Sequence, residues 1–265
     1  MKNNARFTSP RLRLGVVVAA LALTGCATVE SPSPRDPLER LNRGTFAFND
    51  AVDGAVFKPI AYAYRDLTPA PLRSCVGNIF GNVEDVWSAF NSLLQARGHD
   101  FFNTLGRVMF NSTMGLGGCI DVATMNGAYR IKNDLGTTLG VWGLGTGPYI
   151  VLPFLGSSTL RDGTASLGGF AADISPLTPV MAIDNVPVRN VILGTYAVDK
   201  RESLLDADEM VNRTALDRYS FIRDAYLQQR DALVNQRKGD GSAVPDYSDD
   251  ELPDYSDNGA QEAAR

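Results

Sequence analysis

The stretch Asn82-Val-Glu-Asp-Val-Trp-Ser-Ala-Phe-Asn-Ser-Leu-Leu94 decides the fold class. Val83, Val86, Trp87, Phe90, Leu93 and Leu94 fall on one stripe at helical spacing, against Glu84, Asp85, Asn91 and, one residue on, Gln95. The alternation of a half-buried strand is missing. The spacing predicts an amphipathic helix with Asn82 as its N-cap.

Helical signals extend in both directions from this segment. Downstream, Phe101, Phe102, Leu105, Val108 and Met109 predict a second helix, ended by Gly115 to Gly118. Upstream, Asp36-Pro37-Leu38-Glu39 reads as a helix start, with Asp36 as N-cap, Pro37 at the first helical position and Glu39 completing a capping-box-like pattern. Leu38, Leu41, Thr45, Phe48 and Val52 continue that helix until Lys58-Pro59 punctuates it, and Ile60 to Tyr64 predict another. Pro148 to Gly156 is an apolar run bracketed by prolines, whose isolation favours an extended loop over a strand. Ser157 is expected to cap a helix from Leu160 to Phe170, Val188 to Val198 reads as helix, and Leu204 to Lys238 supplies a last charged helical region. The expectation is a nearly all-helical body with few or no strands.

The ends differ from the body. Lys2, Arg6, Arg11 and Arg13 precede the apolar segment Leu14 to Leu23, the pattern of an export signal over residues 1–25. An apolar run of ~10 residues is too short to span a bilayer. Leu23-Thr24-Gly25-Cys26 resembles the bacterial lipobox, which makes Cys26 a lipidation site, and Ala27 rather than aspartate favours the outer membrane. Residues 26–35 form a tether, residues 36–235 one domain, and residues 236–265 an acidic tail carrying two related hexapeptides, PDYSDD and PDYSDN. The tail's composition predicts disorder.

Removing the signal leaves 21 basic residues against 30 acidic, a balance that argues against nucleic acid as a partner. Eight of the acids lie in the tail from Gly239 onward, so the body is nearly neutral. Cys75 and Cys119 form an even pair in an oxidising compartment, and either a disulfide or two separate buried thiols fits.

No catalytic constellation emerges. His99 is the only histidine and lies at a helix start, where a surface or capping role suffices. Thr164-Ala165-Ser166-Leu167-Gly168 lacks the first glycine of a nucleophile elbow. Gly143-x-Gly145-x-Gly147 lacks both the third motif glycine and a phosphate-binding lysine, so close backbone packing explains it. Asp121 and Asp162 read as helix caps or partners of Arg161, and no spacing suits a metal. No cofactor is expected.

Four blocks together resemble the MlaA (VacJ) family of outer-membrane lipoproteins: DPLERLNRGTFAFND (36–50), KPIAYAYRDLTP (58–69), RVMFNSTMGLGGCIDVA (107–123) and DLGTTLGVWGLGTGPYIVLPFLGSSTLRDG (134–163). They occur in order over most of the body; Cys75 and Cys119, the latter within the third block, are not part of the family core pattern, and the acidic tail lies outside the match. The resemblance implies a ring of amphipathic helices in the inner leaflet of the outer membrane around a central channel. It also implies transport of mislocalised phospholipid from the outer leaflet to a soluble periplasmic lipid carrier, beside a trimeric porin. On that reading Phe46, Phe48, Asn49, Gly136, Trp142, Gly143, Gly145, Gly147 and Tyr149 are candidates for channel lining or gating. The first helix, with its Phe46-Ala47-Phe48-Asn49 cluster, is expected to limit lipid flow. A non-transporting scaffold that organises porins is the competing reading, and a lipase relying on His99 a distant third.

Overall fold

The computed structural model describes residues 33–172 and 175–239. Cys26, the export signal and residues 240–265 of the acidic tail fall outside that range, while residues 236–238, expected to belong to the tail, continue the last helix. The described chain is helical apart from one hairpin.

Helix α1 (Glu39–Val52) runs into a π-helical turn (Asp53–Phe57) and on into α2 (Lys58–Leu67) without a break. Lys58-Pro59 therefore changes the pitch instead of ending the helix. The Lys58 amide bonds back five residues to Asp53, a wide turn at the point where Pro59 removes a backbone donor. The start of α1 also departs from expectation. Asp36 is fully buried and its carboxylate accepts bonds from Asn42 Nδ2 and Tyr219 Oη, so it is unavailable as a cap; Leu38 occupies the N-cap position with no side-chain bond.

Helices α3 (Ala70–Leu94) and α4 (Gly98–Thr113) pack along each other. Asn82 lies in the middle of α3, where its amide bonds Ser112 Oγ of α4 at 2.9 Å; it caps nothing. The burial of this pair is inverted relative to a water-soluble protein. Gly81, Asp85, Ser88, Ser92 and Gln95 are buried along α3, and Asp100, Thr104, Arg107 and Asn111 along α4, all at steps of three or four. Val86, Phe90, Leu93, Phe102, Met109 and Phe110 point outward. Buried polar groups need partners, and most of these have them, Thr104 Oγ1 and Gln95 Oε1 being without one. Arg107, 2 % exposed, bonds Asp85 at 3.3 Å, Asp121 at 3.0 Å and Thr124 at 2.8 Å. Asn111 bonds Asp121 at 3.0 Å and receives the Ala123 amide at 2.9 Å. Cys75 of α3 is joined by a disulfide to Cys119, in the turn that follows α4.

Short helices α5 (Val122–Met125) and α6 (Leu135–Val141) follow. Asp121 caps the first, and Asp134 with Thr137 forms a capping box on the second. The proline-bracketed run is a strand after all. β1 (Tyr149–Leu152) pairs antiparallel with β2 (Gly156–Thr159), Tyr149 facing Thr159 and Leu152 facing Gly156. Pro148 and Pro153 lie just outside β1, where they cost the ladder nothing. Ser157 consequently belongs to β2, and the cap of α7 (Leu160–Ala171) is Thr159, which accepts from the Asp162 amide at 3.2 Å. The chain closes with α8 (Thr178–Met181), α9 (Val186–Glu202), α10 (Leu205–Thr214) and α11 (Arg218–Lys238).

Packing partners trace a closed circuit. α1 continues into α2, α2 packs on α9, α9 on α3, α3 on α6, α6 on α11, α11 on β2, and β1 returns to α1. The small apolar core of Tyr149, Val151, Tyr219 and Leu227, with Phe46 against it, joins the hairpin, α11 and α1. Among the described residues no helix is long and apolar enough to cross a membrane.

Candidate functional site

A cavity of about 390 Å³ opens on the circuit where α1, the hairpin and the last three helices meet. Phe46, Leu204, Val211 and Ile222 give it apolar walls, while Asp50, Asp53, Arg201, Asp208 and Arg218 give it a charged side.

The charged side is a chain of ion pairs tying α1 and its π turn to the C-terminal helices. Arg201 holds Asp53 through two bonds of 2.6 and 2.7 Å and reaches Asp208 at 3.0 Å. Lys58 bonds Asp208 at 2.9 Å, and Arg218 spans Asp208 and Asp50. Burial drives the Asp208 carboxyl upward, but bonds from Lys58 and Arg201 and the charge of Arg218 outweigh it, so its pKa lies below the usual carboxylate range. Asp208 is nearly buried under three cations, whereas Asp50 is half-exposed and has one. The Arg218 guanidinium sits over the Phe46 ring, 5.7 Å from its centroid, and its Nε is buried without a partner.

Phe46 and Asn49 line this cavity, and the other candidates from the sequence do not. Phe46 meets Tyr219 edge-on at 5.6 Å. Asn49 donates to the Leu152 carbonyl at 2.9 Å and accepts the Phe154 amide at 2.8 Å, fastening the hairpin turn to α1. Phe48 points outward against Phe154, with centroids 5.4 Å apart. Tyr149 is fully buried, its hydroxyl 2.8 Å from Ser157 Oγ.

Gly136 is a packing position, since a Cβ there would come within 2.4 Å of Asp162 Oδ1. Trp142 is exposed, with its indole N–H on the Leu94 carbonyl at 3.1 Å. Gly143 and Gly147 turn the following loop at φ +101° and +69°, a region that favours glycine, and Gly145 between them has open space. His99 is largely exposed. Asp121 and Asp162 act as cap and ion-pair partners, Asp162 bonding both Arg161 and Arg230 at 2.8 Å.

Five residues of consequence escaped the sequence reading: Asn42, Asp53, Arg201, Asp208 and Arg218. Asp53 ends the expected first helix, Arg201 falls between two expected helices, Asp208 and Arg218 lie in the charged C-terminal region, and nothing local marks the four as converging. Asn42 carried a signal, because it stands seven residues before Asn49 and so shares a helix face with it.

The chain matches the sequence profile of MlaA lipoproteins over residues 34–233. This chain belongs to the MlaA lipoprotein family. An Escherichia coli relative named intermembrane phospholipid transport system lipoprotein MlaA is 34% identical over 233 residues, covering 85% of this chain and 90% of its own length. A Haemophilus influenzae MlaA of the same name is also 34% identical, over 91% of this chain and 95% of the relative. An uncharacterized Rickettsia bellii protein is 32% identical over 82% and 81%. A solved structure described as the structural basis for maintenance of bacterial outer membrane lipid asymmetry aligns with a TM-score of 0.63 and 34% identity, covering 76% of this chain and 99% of its own. The family match over residues 34–233 includes the hairpin and every residue that lines the cavity.

Proposed function

We propose that this MlaA family member is an outer-membrane lipoprotein of phospholipid transport. It accepts phospholipid mislocalised in the outer leaflet and passes it to a soluble periplasmic carrier, without chemical conversion of the lipid. The body lies in the inner leaflet, held also by acyl chains on Cys26 and neighbouring a trimeric porin. The names of the Escherichia coli and Haemophilus influenzae relatives support transport of phospholipid between membranes.

The observation that carries the reading is the inverted burial of α3 and α4. In water, exposing Phe102, Met109 and Leu93 while burying Asp85, Arg107 and Asn111 forfeits ~25 cal/mol per Å² of apolar surface. In lipid, apolar faces gain nothing by meeting each other, and polar groups gain by finding partners inside the protein. The closed circuit of elements and its mixed-polarity cavity suit passage of an amphiphile.

Purified protein reconstituted in vesicles with its carrier should release phospholipid to that carrier. Vesicles that retain all their lipid while the protein still binds a porin would favour the scaffold reading.

A further inference from the structure

The cavity combines three kinds of surface that one ligand class would use together. Arg218 contributes a guanidinium whose Nη1 and Nη2 meet Asp50 and Asp208, while its Nε is buried and unpartnered. Asp50, on the opposing helix, is half-exposed, and Arg218 is its one ion-pair partner among the described residues. Phe46, Leu204, Val211 and Ile222 supply apolar wall beside them.

The remaining charges are committed. Asp53 is held by both arms of Arg201, and Asp208 by Lys58, Arg201 and Arg218. Three carboxylates and three cations balance, so the cluster is neutral as it stands. Asp50 is the carboxylate that can change partner at least cost, because it is the most exposed of the three and singly paired.

We propose that this cavity seats a zwitterionic phospholipid headgroup, with the phosphate on Arg218 and the ammonium on Asp50, and that it discriminates against headgroups of net negative charge. The proposal rests on the phospholipid reading above and names the lipid class. A phosphate drawing Arg218 away leaves Asp50 uncompensated. The ammonium of the same headgroup then replaces the lost cation, and neutrality is kept. A glycerol headgroup brings no cation, so its phosphate would sit beside an unpaired carboxylate that repels it. The volume, about 390 Å³, falls within the ~300–1,000 Å³ range of small-molecule sites, enough for a headgroup but not for two acyl chains as well. The apolar walls would carry the upper part of those chains.

The test is lipid capture by the purified full chain in detergent. The protein is incubated with an equimolar mixture of phosphatidylethanolamine and phosphatidylglycerol of identical acyl chains, washed, and its bound lipid quantified by mass spectrometry. The wild type should enrich phosphatidylethanolamine by roughly fivefold or more, the scale set by one uncompensated charge in a partly buried site. Asp50→Asn, nearly isosteric at a half-exposed position, should bring the ratio close to one, and Asp50→Glu should keep the enrichment. Arg218→Gln should reduce capture of both lipids.

Equal capture by the wild type overturns the proposal and leaves phospholipid transport standing. Enrichment that survives Asp50→Asn overturns the assignment of the ammonium. Capture of neither lipid by a wild type of normal helix content removes both this proposal and the transport reading beneath it.

Discussion

Asn42 and Asn49, two helical turns apart on α1, hold the hairpin by the same means, each carboxamide bonding one backbone carbonyl and one backbone amide. Asn42 takes the Tyr149 carbonyl at 3.0 Å and the Val151 amide at 2.9 Å. Asn49 takes the Leu152 carbonyl and the Phe154 amide. A two-stranded hairpin is marginal alone, and here the helix takes the place of a third strand.

Asn42→Ala should therefore cost about 1–3 kcal/mol, the price of leaving buried backbone groups unpaired. Amide hydrogen exchange at Val151 should quicken more than exchange in α3. Unchanged protection at Val151 would show that the hairpin does not depend on the side chain.

Asp162 should matter through pH. Burial raises its pKa, yet bonds from Arg161 and the charge and bonds of Arg230 prevail, so the folded-state value lies below the ordinary one. A carboxyl with a lowered folded pKa stabilises fully above its unfolded value and loses that contribution as pH falls through the folded one. Asp162→Asn should cost about 3–5 kcal/mol at neutral pH, because it breaks a buried ion pair. The gap between wild type and variant should narrow as pH drops below about 4. Denaturation midpoints at pH 7 and pH 3 would check this, and a constant gap would contradict it.

The disulfide between Cys75 and Cys119 spans 44 residues. Closing a loop of that length removes about 4 kcal/mol of unfolded-chain entropy on the chain-entropy account. Reduction, or Cys75→Ala with Cys119→Ala, should lower the thermal midpoint with helix content kept, as read by circular dichroism. A midpoint insensitive to reductant would count against a stabilising bridge.

Phe102 offers a test of the outward face. It is 70% exposed. In a water-facing helix, Phe102→Lys would be neutral or helpful. In a leaflet it should oppose insertion, by up to about 2.5–3.5 kcal/mol at bilayer depth. Flotation of Cys26→Ala protein, which on the proposed lipidation would lack its anchor, should drop tenfold or more on adding Phe102→Lys. Equal flotation would place that face outside the lipid.

The helical character of the body was legible because the 3.6-residue period of Val83 to Leu94 leaves little choice of element. Which side of that helix faces inward was not, since periodicity is symmetric between a core stripe and a lipid-facing one. The family blocks, and not the period, supplied that direction. Boundaries failed where tertiary bonds overrode local signals. Asp36 had the credentials of a cap but serves Asn42 and Tyr219, and within Pro148 to Gly156 the residues Tyr149 to Leu152 became strand, paired with β2 and held by Asn42 and Asn49. Of the cavity, Phe46 and Asn49 were legible as an unusual cluster. Arg201, Asp208 and Arg218 were not, because their convergence depends on contacts far apart in the chain.

The polar seam between α3 and α4 has a consequence for how this protein must be delivered. For most chains, folding lowers the greasy area shown to water. Here, along α3 and α4, it buries hydrophilic side chains and leaves greasy ones on the outside, so the finished molecule keeps an apolar face that water does not favour. Crossing an aqueous compartment in that form would invite aggregation, which argues for escort up to the membrane or for folding completed on arrival. Once seated, that face itself opposes departure.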